Sequence, residues 1–176
     1  PVVLHWDSFY DSGKNTPSVE LAGQATIPLD AIFDIAAAPH PPVIDGKLDE
    51  WGSLPFIVNQ PADVYTTVQA WKGPQDGSFR FGVSHDDQNL YVAVKTTDDE
   101  PRFDGWKYWE DFAILLVDTR ATEKEDIKTS VFSVMAGPQL DAAQVEEYST
   151  GKAPDGVKTS CVATADGFES EFAIPL

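Results

Sequence analysis

The sequence predicts an all-β fold, an antiparallel β-sandwich of jelly-roll-like design with an N-terminal extension. Three observations carry this. Short β-rich runs follow one another from Val43 onward, Asp, Gly and Pro turns separate them, and no segment sustains the apolar period of a helix. With 176 residues, 42% hydrophobic and 11% aromatic, the chain can bury one core and is too short for two ordinary domains.

Residues 1–41 read as an arm or linker and 42–176 as the sandwich. Val2 to Tyr10 and Ala31 to Ala38 are apolar runs around the turn-rich Asp11 to Pro17, and His40-Pro-Pro42 marks the boundary because consecutive prolines fix extended backbone. Ser78 to Val83 alternates and Leu90 to Thr96 is rich in β-branched residues, so the two predict a hairpin across His85 to Asn89. Phe112 to Val117 is a continuous apolar run, which predicts a mid-sheet strand buried on both faces. Ser130 to Met135 alternates, which predicts a half-buried strand, and Glu146 to Gly156 reads as a long loop. Asp141 to Tyr148 has room for one or two helical turns, and Val157 to Ala165 and Phe168 to Ile174 predict a hairpin turning at Asp166-Gly167.

Twelve Lys plus Arg against 29 Asp plus Glu give a net charge of −17, which repels phosphate backbones and anionic lipid surfaces. Nucleic acid and membrane are therefore poor partners, and no stretch approaches the roughly 20 apolar residues of a membrane span. The single cysteine, Cys161, lies in a strand-like run and reads as a small buried hydrophobe. No Gly-x-Ser-x-Gly, phosphate loop, dinucleotide fingerprint or His-Glu-x-x-His occurs, and His5, His40 and His85 share no local context. An enzyme is not expected.

Pro42-Val-Ile-Asp-Gly-Lys-Leu-Asp-Glu-Trp51 resembles the opening of family 9 carbohydrate-binding modules. Three further stretches resemble the same family in order: Phe81 to Val94, Trp109 to Asp118 and Gly167 to Pro175. The resemblance implies a non-catalytic module of a larger secreted or surface protein, extracellular or periplasmic and bacterial, that binds a polysaccharide or oligosaccharide.

Sugars offer apolar C–H faces within a rim of hydroxyls, so their sites combine aromatic platforms with carboxylates, amides or Arg. Gly105-Trp-Lys-Tyr-Trp-Glu-Asp111 has that composition. Trp109, matched to the stacking Trp that the family carries shortly before the Asp of this motif, is the candidate platform, with Trp106, Tyr108, Glu110 and Asp111 around it. Against this stands a core role for Trp109, and Trp51 and Trp71 read as structural. The sequence departs from the family at Ile114, where an acid that helps bind sugar hydroxyls is usual.

The family also continues past its Ile-Pro strand to a second stacking Trp, whereas this chain stops at Leu176; residues 2–10 are expected to pair with the sheet as a replacement strand. Calcium is the cofactor that the resemblance implies, with Asp45, Asp49, Asp98 and Asp99 as candidate ligands. Two other readings come with the fold: a haem b electron-transfer domain using Met135, the only methionine, as an axial ligand, and a spacer with no ligand.

Overall fold

A hairpin organises the larger sheet. Ser78–His85 (β4) and Asn89–Thr97 (β5) pair from Ser78↔Thr97 to His85↔Leu90, as their alternation predicts. The turn between them is set by Asp86, whose Oδ1 accepts the Gln88 and Asn89 amides (2.8 and 2.7 Å) and whose Oδ2 accepts the Tyr91 hydroxyl (2.6 Å). That hydroxyl bond, first among several, holds the Asp86 carboxyl below the usual range.

The computed structural model describes residues 34–64, 70–103, 111–120, 131–140 and 151–176, and the backbone alone of residues 2–10, 19–27 and 144–145. The remaining strands are Val2–Tyr10 (β1), Val19–Ile27 (β2), Phe56–Val58 (β3), Ala113–Asp118 (β6), Val131–Ala136 (β7), Gln144–Val145 (β8), Lys158–Thr164 (β9) and Gly167–Pro175 (β10). One sheet runs β3-β4-β5-β10-β9 and a second β6-β7-β8, all antiparallel. Among the described residues there is no α-helix, only a short 3-10 turn at Pro61–Asp63.

The chain divides into two compact units, Pro1–Asp34 and Ile35–Leu176. In the first, residues 2–10 do form a strand, and the partner of β1 is β2, paired from Val2↔Ile27 to Tyr10↔Val19 in a two-stranded sheet. This corrects the replacement-strand expectation. Closing a short loop costs less chain entropy than recruiting a distant edge. In the second unit, Ala36–Ala38 runs beside the end of β4, with Ala38 N donating to His85 O at 2.7 Å.

The two sheets of the second unit share one core. Val92, Phe172 and Ile174 from the five-stranded sheet meet Phe132, Val134 and Ala136 of β7, with Val83, Leu90, Val94, Ala113, Leu115 and Val117 around them. Side-chain alternation fixes the faces: even-numbered residues of β5 and β10 point inward, odd-numbered ones outward. This is a β-sandwich.

Three expectations fail in detail. β6 is not mid-sheet and not buried on both faces; it ends its sheet among the described residues, and Ile114 and Leu116 are exposed while Ala113, Leu115 and Val117 face the core. β7, read as half-buried, is buried at all six positions, Ser133 included, so both faces of this strand are covered. Residues 144–145 are a strand paired with β7 where a helical turn was expected, the rest of 141–148 lying outside the described residues.

The β9–β10 hairpin forms, with its turn at Ala165-Asp166 and Gly167 opening β10 at φ 141°. A Cβ on Gly167 would collide with the Thr96 carbonyl oxygen, so close approach of strands requires glycine there.

Candidate functional site

The signature residues 44–51 lie against the outer face of the five-stranded sheet, fastened to β10 by one carboxylate. Alternation turns Glu171 away from the core, and an exposed glutamate would be ordinary there. Instead Glu171 has no exposed surface. Its Oε2 accepts the Asp45 and Gly46 amides (2.9 and 2.8 Å) and its Oε1 the Trp51 indole N–H (2.8 Å). Burial pushes the Glu171 carboxyl up, opposed by these three bonds.

The other signature residues fit the same clasp. Gly46 sits at φ 85°, and a Cβ on it would come within 2.8 Å of Val162 Cγ2 and 3.1 Å of the Cys161 backbone. Asp45 Oδ1 accepts the Lys47 amide (2.9 Å), Glu50 Oε1 accepts the Val43 amide (2.9 Å), and Trp51 N donates to Leu48 O (3.1 Å). Trp51 and Leu54 close over Gly82 of β4, where a Cβ would meet Leu54 Cδ2 at 3.0 Å. The motif that opens the resemblance thus fastens the fold, and the structural reading of Trp51 stands on its bond to Glu171. Trp71 is tied likewise, its indole donating to Gly77 O at 2.8 Å.

Glu171 is the residue that sequence reasoning missed. Both halves of the clasp lay in the stretches resembling the family, but hydropathy puts a glutamate on an alternating strand in solvent.

Of the candidate sugar-binding residues, Trp106, Tyr108, Trp109 and Glu110 lie outside the described residues. Asp111 is described and half-buried: its Oδ2 accepts the Arg102 amide at 2.7 Å, and its own amide donates to Arg102 O at 2.9 Å. Just before the aromatic segment, Phe103 packs edge-on against Phe168, ring centroids 5.9 Å apart at 88°. The two ends of the segment carrying Trp106, Tyr108 and Trp109 are therefore tied together and anchored to the inner face of β10.

Ile114, where the family usually has an acid, is 43% exposed on the outward side of β6. Met135, its cross-strand partner on β7, is 2% exposed, a buried thioether on the face opposite Phe132, Val134 and Ala136.

The metal candidates fall in two places. Asp45 serves the signature turn, near the Lys47 ammonium at 3.6 Å, and Asp49 is exposed beside it. Asp98 lies at the end of β5, its Oδ1 accepting the Glu100 amide (2.8 Å) and its amide donating to Asp166 O (2.9 Å), with Asp99 exposed next to it. Burial raises the Asp98 carboxyl, and the charges of Asp111, Asp99 and Asp76 add to that. Among the described residues, no three His, Cys, Asp or Glu side chains converge on one point. Cys161 is no nucleophile: burial pushes its thiol up to about 11, and it accepts the Ser170 hydroxyl at 3.1 Å.

Residues 44–176 match the family model described as carbohydrate family 9 binding domain-like. Comparison with curated proteins gives no match.

Proposed function

Because the chain belongs to the carbohydrate family 9 binding domain-like family, we propose that it is a non-catalytic module that holds a larger secreted or surface protein against a polysaccharide. The family match over residues 44–176 carries this reading. In it, Trp109 stacks on a sugar ring, Trp106 extends the platform, and Tyr108, Glu110 and Asp111 hydrogen-bond the hydroxyls. The ties at Arg102–Asp111 and Phe103–Phe168 support it, since a platform whose ends are held loses less entropy on binding. The extracellular or periplasmic location follows the family, and among the described residues no helix is long and apolar enough to cross a membrane.

A Ca²⁺ bracing the loops belongs to the same proposal. The crowding of Asp98 by Asp99, Asp111 and Asp76 supports it, because a bound cation would relieve that field. The spacer reading has an observation of its own: Ile114 in place of the acid removes a polar contact from the family site.

Glycan-array screening with and without Ca²⁺, followed by calorimetry of Trp109→Ala, tests the reading. The variant is expected to remain folded and lose glycan binding by about fivefold or more, the effect of about 1 kcal/mol of stacking. Unchanged binding, or unfolding, would assign Trp109 to the core.

A further inference from the structure

The outer face of the five-stranded sheet has a second feature, in the outward row next to that of Glu171. Its register aligns Ile57, Arg80, Lys95, Glu169 and Val162 in one row across β3, β4, β5, β10 and β9. Arg80 stands directly opposite Lys95, where side chains start about 5 Å apart and like charges repel. Lys95 is answered by Glu169, Nζ to Oε1 3.1 Å. Arg80 is exposed, and among the described residues it has no hydrogen-bond or ion-pair partner. In a chain with 29 acids and only 12 Lys plus Arg, this guanidinium thus stands beside an ammonium with no acid paired to it among the described residues.

These two cations line a cleft of about 440 Å³, within the span of small-ligand sites at about 300–1,000 Å³. Asn59, Gln75, Ser78 and Thr97 supply amide and hydroxyl groups around it. Ile57, 49% exposed and in the same outward row, supplies apolar surface. A planar guanidinium takes a carboxylate or sulfate in a two-pronged bond, an ammonium adds a point charge, and an apolar patch suits the C–H face of a sugar ring.

We propose that the Arg80–Lys95 cleft binds an oxyanion-bearing sugar, the carboxylate of a uronic acid or a sulfate ester, at a site separate from the aromatic segment. The sugar part rests on the carbohydrate-binding reading; the anion part rests on the cleft. Net charge sets the kind of glycan. At −17 the protein repels a dense polyanion at long range, whereas the field is far weaker on a neutral backbone with occasional acidic side groups. The ligand is accordingly a sparsely charged glycan.

The test is calorimetric titration of the whole chain with a neutral oligosaccharide, with the same oligosaccharide carrying one glucuronic acid, and with a sulfated disaccharide. Wild type should bind an acidic sugar about tenfold tighter than the neutral parent, the yield of one charge-assisted bidentate pair. Arg80→Gln should remove that preference while keeping neutral-sugar affinity and melting temperature, and Trp109→Ala should keep the preference. Raising salt from about 0.05 to 0.5 M should shrink it. The uronic and sulfated arms distinguish the two sources of the oxyanion. A preference absent in wild type, or surviving in Arg80→Gln, overturns the proposal, and sodium sulfate competing as well as the sugar overturns its sugar part. Failure of every sugar to bind, neutral and acidic alike, instead removes the carbohydrate reading itself.

Discussion

Two clasps in this molecule use the same chemistry at different depths. At the signature, Glu171 is wholly enclosed and accepts two backbone amides and an indole N–H. At the neck of the aromatic segment, half-buried Asp111 accepts one amide, that of Arg102, at 2.7 Å. A buried acceptor cannot be replaced by water, so its donors depend on it; a partly exposed one can. Of the four stretches that resemble the family, the first and the last are accordingly fastened to each other at Glu171. The residues expected to touch sugar lie on a segment closed by the weaker clasp.

The largest expected effect comes from removing the deeper clasp. Glu171→Ala strands three donors at about 1–3 kcal/mol each, a loss of about 3 kcal/mol or more and a melting-temperature drop of about 10 °C. Asp111→Ala strands one accessible donor and should lower it by only about 3 °C or less. Thermal unfolding followed by circular dichroism measures both, and equal losses would erase the distinction between the clasps.

A smaller effect sharpens the electrostatic side. The folded Glu171 carboxyl titrates above the ordinary 4.5, so the folded state holds that proton more tightly than the unfolded chain. Its stabilising contribution is therefore full below the ordinary value and lost as pH rises through the folded one. Asp86, Asp118 and Asp155 work the other way, with carboxyls held below 3.8, Asp118 at about 2 beside Arg120, and their contributions vanish only as pH falls through those values. Wild type should thus melt higher at about pH 4.5 than at about pH 7.5, a gain that half-buried Asp98 shares. The difference in melting temperature between wild type and Glu171→Gln isolates the glutamate: it should fall from about pH 4 to about pH 8, and a constant difference removes this account.

The all-β class and the hairpins were legible because alternation and turn residues are local, as at Ser78–Val83 and Asp86. What neighbours a strand was not legible. Phe112 to Val117 and Ser130 to Met135 exchanged their expected burial, since hydropathy records what a side chain prefers and sheet position decides what covers it. Glu171 was hidden for the same reason: only the turn folded over β10 turns an outward glutamate into a buried one. Of the aromatic site the sequence gives composition and order, and the structure adds its two tied ends, the side chains from Trp106 to Glu110 lying outside the described residues.

The smallest expected effect on the fold falls at Ile114, which the family pattern would make acidic. It is 43% exposed on the last strand of its sheet among the described residues, pointing away from Ala113, Leu115 and Val117. A carboxylate there keeps its water, and charges on sheet edges guard against strand-to-strand association, so Ile114→Glu needs no buried partner. Its melting temperature should stay within about 2 °C of wild type. If the missing acid is what weakens the family site, the same variant should gain several-fold in affinity for a neutral glycan, about what one hydrogen bond to a charged group provides. A drop of about 5 °C or more would mean that Ile114 is covered in solution and that the edge position of β6 is wrong. An intact fold with no gain in affinity would mean that the polar contact was not lost at this position, and would move the search for the sugar's partners to Asp111 and Glu110.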